Sequence, residues 1–153
     1  MISSGPSDAM TATLNRNSSD AVIKIDLDER AFVFPQHKSV QQLHLHVHRP
    51  GTVRFEAVYG FNQNRMSPVL FELHAEDCME LARRLVEAVY RAQSTQVVSA
   101  TASLAITVVA NGYIVQYNDA RGPTELFLGS ACIWRVCGGI ARAVDFLAPI
   151  ASN

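Results

Sequence analysis

The sequence predicts an α+β protein built of two tandem antiparallel β-hairpin/third-strand/helix units, in a ββββα–βββα order with the helices packed on sheets. Three observations lead there. Strict apolar/polar alternation marks two hairpins, LHLHV (43–47) with VRFEAVY (53–59) and SLAITVVA (103–110) with YIVQYN (113–118). Apolar residues at helical spacing mark two amphipathic segments, 75–93 and 130–147. Each helical segment follows a third short alternating stretch. Residues 21–95 and 101–150 therefore read as two units of one domain spanning 21–150, preceded by an arm over 1–20.

In chain order, residues 1–20 are rich in Ser, Asn, Thr and Ala without apolar periodicity, which predicts a flexible N-terminal arm. AVIKIDL (21–27) and AFVF (31–34) read as short strands, the second stopped by Pro35. In the first hairpin the faces stay separate only if the loop through Arg49, Pro50 and Gly51 has an odd number of residues. That register sets Val47 opposite Val53, Leu45 opposite Phe55 and Leu43 opposite Ala57. On the other face it sets His46 opposite Arg54 and His44 opposite Glu56. PVLFELH supplies the third strand, with Val69, Phe71 and Leu73 on one side and Glu72 and His74 on the other. The following helix carries Cys78, Leu81, Ala82, Leu85, Val89 and Ala92 as its stripe. Glu76 and Asp77 at its start and Arg91 at its end suit the helix dipole.

In the second unit Asn111-Gly112 predicts a type I′ turn, which would place Val108 opposite Val115 and Ile106 opposite Tyr117. TELFL (124–128) is the third strand. SACIWRVCGGIARAVDFL is the second helix, with Ile133, Cys137, Ile140, Val144 and Leu147 inward and Ser130 as its N-cap. Gly138-Gly139 within it predicts close backbone packing or a kink.

Composition sets the outer limits. A chain of 153 residues can bury roughly 70% of its extended surface and needs no staples. Three cysteines with no C-x-x-C pair, each among apolar residues, point to buried thiols in a reducing, cytoplasmic setting. MISSGPSDAM has neither the basic nor the apolar region of an export signal, and every apolar stretch is interrupted before it reaches the length of a membrane span. Net charge is −1, but residues 37–65 hold Lys38, Arg49, Arg54 and Arg65 against Glu56, together with four of the five histidines. That stretch reads as a local basic footprint for a polyanion.

The arrangement LHLHV, Gly51 in the turn, VRFEAVYG, PVLFEL and a helix, echoed by NGYIVQYN, TELFL and a helix bearing Trp134, resembles the tandem sheet-plus-helix repeats of single-stranded nucleic-acid-binding proteins such as the PUR and Whirly families. The resemblance covers about two thirds of the chain and is one of architecture and spacing. It implies a non-enzymatic protein that binds single-stranded nucleic acid as a homo-oligomer. The second unit departs from the family habit, because Arg121, Arg135 and Arg142 are balanced by Asp119, Glu125 and Asp145.

On this reading Lys38, Arg49, Arg54 and Arg65 contact phosphates, His44, His46 and His48 add charge below about pH 6.5, and Tyr59 and Phe61 stack bases. The competing class is a structural subunit of a larger particle, held through the arm and the second hairpin. A third possibility is a metal site on His44, His46 and His74, since side chains at i and i+2 of a strand leave the same face. His-x-His is not diagnostic by itself, and no metal or other cofactor is expected. No G-x-S-x-G elbow, G-x-G-x-x-G or P-loop is present, so no catalytic or nucleotide-binding motif of those kinds operates.

Overall fold

The computed structural model describes residues 10–13, 20–34, 38–49, 51–59, 69–98, 103–120 and 122–148. Along the chain run β1 (Met10–Thr13), β2 (Asp20–Phe34), β3 (Lys38–His48), β4 (Thr52–Tyr59), β5 (Val69–His74), α1 (Ala75–Arg91), β6 (Thr95–Val98), β7 (Ser103–Val109), β8 (Gly112–Asp119), β9 (Gly122–Gly129) and α2 (Ile133–Leu147). All strand pairs are antiparallel.

The expected α+β class with two sheet-plus-helix units is overturned. The strands form one continuous sheet in the order β5-β4-β3-β2-β9-β8-β7-β6, with β1 added on β2, and this β-rich sheet curls into a half-barrel with only two helices. The halves are fused through β2 and β9, where Ala31 pairs with Leu128 and Val33 with Leu126. That pairing joins residues almost a hundred positions apart, so nothing local in the sequence announces it.

Strand β2 explains how one strand serves both halves. The two short stretches expected at 21–27 and 31–34 are one 15-residue strand, broken in register between Asp26 and Ala31. Its first part lies between β1 and β3, and its last part pairs with β3 and with β9. A bulge bends a strand and increases its twist, which lets the sheet turn a corner here. Arg135 of α2 donates to Asp26 O at 3.2 Å, anchoring the helix at that bend.

Alternation puts Ile23, Ile25, Leu43, Leu45, Val53, Phe55, Phe71, Ile106, Val115, Leu126 and Leu128 on the inner face, where they are buried with Leu81 and Leu85 of α1 and Ile133, Val136 and Ile140 of α2. Each large side chain of this kind contributes about 1.5–3 kcal/mol by leaving water. In the first hairpin Val47 pairs with Val53, Leu45 with Phe55 and His46 with Arg54, the register that the alternation requires.

The second hairpin turns one residue earlier than expected. Val109 pairs with Gly112 and Ile106 with Val115, so Ala110 and Asn111 make the turn. Gly112 is the first residue of β8, and a Cβ there would lie 2.2 Å from Leu128 O and 2.9 Å from Gly129 Cα. The glycine serves the close approach of β9, not a positive φ in the turn. Ser130 is likewise not the cap of α2: Cys132 holds that position, while Ser130 Oγ and its N–H both donate to Asn111 O at 3.1 Å. In α2, Gly139 is buried, whereas the space around Gly138 is open.

Candidate functional site: the outer face of the sheet

Residues of opposite parity to the core project from the outer face of the sheet. Cross-strand neighbours run Asp20–His48–Thr52–His74, Lys24–His44–Glu56 and His46–Arg54–Glu72 across β2, β3, β4 and β5. The three histidines of HLHVH thus share one surface, with the His44 and His46 ring centroids 6.4 Å apart.

Each histidine there is matched by a hydrogen-bonding partner. Glu56 accepts from His46 Nε2 at 3.1 Å through one oxygen and from Arg54 Nε at 2.9 Å through the other. His48 Nδ1 pairs with Asp20. His44 Nε2 donates to Gln42 Oε1 at 3.0 Å, and Gln42 Nε2 donates in turn to Asp26 Oδ1 at 2.7 Å. Partial burial holds the pKa of His44 below its usual 6.5, assisted by the charges of Lys24 and His46 and opposed by those of Glu56 and Asp26.

The charge read from residues 37–65 therefore looks different in three dimensions. Across β2 to β5, among the described side chains, the outer face carries Lys24 and Arg54 against Asp20, Asp26, Glu56 and Glu72, with four histidines among them. Among these described groups the carboxylates outnumber Lys24 and Arg54 by four to two. Lys24, Asp20 and Asp26 were missed because they lie in a different segment, and only the β2–β3 register brings them to the histidines.

The other candidates fall elsewhere. The Arg49 guanidinium donates to Phe146 O from Nη2 at 3.0 Å and from Nε at 3.3 Å, and lies 4.2 Å from the Phe146 ring centroid. It closes the end of α2 rather than facing a ligand on the sheet. Lys38 Nζ sits 5.0 Å from the centre of the Tyr59 ring, at the opposite end of the hairpin from His48, and that ring packs against the core. Phe61 and Arg65 lie outside the described residues. His74 stands opposite Thr52, apart from His44 and His46, and among the described residues no three His, Cys, Asp or Glu side chains converge as metal ligands do.

Two surface features escaped the sequence reading. On the outer face beyond the bulge, Phe32 and Phe127 lie with ring centroids 6.1 Å apart, and Ile114 pairs with Phe127. On α1, the side away from the core presents Met79, Val86 and Tyr90, at spacings of seven and four residues. That second stripe is a periodicity on the polar side of the helix, interleaved with Arg83 and Glu87. Burial pushes the thiols of Cys78 and Cys137 up to about 12 and about 11, which disfavours their thiolate forms.

No protein-family model matches the chain, and no curated protein matches it significantly. Among solved structures it is similar to one described for SsgB of Streptomyces coelicolor, in connection with longitudinal cell division during sporulation, with 9% identity and a TM-score of 0.46 over 86% of this chain and 93% of that one. A likeness at this level assigns neither a fold nor a function.

Proposed function

We propose that the protein is a non-enzymatic assembly subunit that associates through the exposed apolar surface of its helices. The observation that carries this reading is the outward stripe of α1, where Met79, Val86 and Tyr90 are 53%, 42% and 83% exposed, with Trp134 of α2 55% exposed. Four large apolar side chains on two helices that pack on each other exceed what a solvated helix face needs, and Tyr and Trp are the side chains that anchor interfaces. The second hairpin, β7 and β8, lies between β6 and β9 in the strand order. Light scattering on the wild type and on Val86→Glu/Tyr90→Glu tests the reading. An oligomer that the double variant reduces to a 16.8 kDa chain with an unchanged circular dichroism spectrum supports it. A wild type that stays monomeric at micromolar concentration removes it.

A second reading, binding of single-stranded nucleic acid to the outer sheet face, is favoured by one observation: Phe32 and Phe127 share that face with His44, His46, His48 and Arg54. Stacking on the aromatic part and phosphate contacts on the histidine part would suit a single strand. The four carboxylates on the face confine such binding to mildly acid conditions, where the histidines are charged. Binding that is tighter at low pH, falls steeply with salt and is lost in Arg54→Glu fits this reading.

A further inference from the structure

We propose that α1 pairs with the α1 of a second copy of this chain, antiparallel about a two-fold axis passing between Arg84 and Leu85, to give a closed dimer. This pairing rests on the assembly function proposed for the same surface, and gives that surface one partner in one orientation.

Along the side of α1 away from the core, the exposed residues are Glu76, Met79, Arg83, Val86 and Tyr90, followed just past the helix by Gln93. Their spacing alternates between three and four residues, the repeat that keeps one stripe of a helix against a partner helix. The buried residues Cys78, Leu81, Leu85 and Ala88 follow the same repeat on the opposite side. The helix thus carries two seams, and the sheet and α2 cover only the second.

The open seam is self-complementary. An antiparallel copy brings Met79 level with Tyr90 of the second copy and Arg83 level with its Val86, and each contact occurs twice, as a two-fold requires. A thioether against a phenol ring is a favourable contact. The apolar stem of Arg83, whose guanidinium is held by Glu80, covers Val86. Glu76 and Asp77 in the first turn come beside Arg91 in the last turn of the other copy, and the two helix dipoles run opposed. A parallel copy would instead set Glu76 against Glu76 and Arg83 against Arg83, with the dipoles aligned. A seam that matches its own reverse in both apolar positions and charge is matched by another copy of itself. Because the two-fold contact occupies the whole seam, association stops at two chains.

Light scattering on the full chain gives the mass, and spin labels on Glu76→Cys and on Glu87→Cys give the orientation. The three native cysteines are buried, and wild type under the same labelling is the control. The expected result is a two-chain mass with a label separation that grows away from the axis. At a rise of 1.5 Å per residue, labels at 87 stand about 8 Å apart along the helices and labels at 76 about 25 Å apart. Val86→Glu/Tyr90→Glu, folded by circular dichroism, has a single-chain mass. Equal separations at both sites would show a parallel pair and overturn the proposal. A larger assembly that the double variant dissociates would also overturn it, and in both cases the assembly reading stands. A wild-type monomer, or a dimer that Val86→Glu/Tyr90→Glu leaves intact, overturns the pairing and the assembly reading together.

Discussion

Tyr117 on β8 and Phe71 on β5 stack with ring centroids 5.0 Å apart, and Tyr117 Oη donates to Glu72 O at 3.2 Å, although four strands separate β5 from β8 in the sheet. The sheet is bent far enough that its second half touches its first-half edge, and Phe55 extends the aromatic contact at 4.6 Å from Phe71. Tyr117→Phe keeps the stack and loses the hydrogen bond, so it should cost about 1 kcal/mol in urea unfolding. Tyr117→Ala removes the ring as well and should cost about 3–5 kcal/mol.

Gly112 tests the contact between β8 and β9. The carbonyl of Leu128 and the backbone of Gly129 stand where a side chain would go, and neither yields without disturbing the ladder that pairs Tyr113 with Leu128. Gly112→Ala should destabilise the protein by about 1–3 kcal/mol, as overpacking does. Asn111→Ala, in the turn itself, should cost well under 1 kcal/mol, because the turn uses no positive φ at that residue. Equal effects from both changes would return the glycine's role to the turn.

The legible part of this fold is the part whose partners are close in sequence. LHLHV and VRFEAVY fix their own register, because a slip by one residue would turn Leu45 and Phe55 to solvent. Leu81, Leu85 and Cys78 likewise mark the buried side of α1 by spacing alone. The union of the halves is written in the contact of Phe32 with Phe127 and of Ala31 with Leu128, and such pairings have no period to read. For the same reason the histidine face was visible as a surface while its charge was not: Asp20, Lys24 and Asp26 belong to another strand. The bond of Arg49 to the Phe146 carbonyl was not legible, because an arginine in a turn is chemically identical whether it meets a phosphate or a carbonyl.

That role for Arg49 makes a distinct prediction. Two N–H groups satisfy one of the last carbonyls of α2, and the guanidinium covers the ring of the same residue. Arg49→Ala should cost about 1–3 kcal/mol in thermal or chemical unfolding, within the range for hydrogen bonds to a charged group. Arg49→Lys should recover only part of this, since an ammonium offers no planar fork. A substitution that left stability unchanged would free Arg49 for another role.

The histidine face should make the protein acid-sensitive through His44 in particular. Its folded-state pKa lies below the unfolded value of 6.5, chiefly because half-burial penalises the charged ring, with Lys24 and His46 adding to the effect and Glu56 and Asp26 reducing it. Between the two pKa values the unfolded chain binds more protons than the folded one, so stability rises with pH in that window. The contribution is fully present above 6.5 and is lost as pH falls through the folded-state value. His44→Gln retains a donor towards Gln42 but cannot be protonated, so its unfolding midpoint should fall less than that of the wild type as pH drops from about 7.5 to about 5.5. Urea titrations at several pH values compare the slopes directly. Parallel curves for the two proteins would show that His44 takes no part in the acid response.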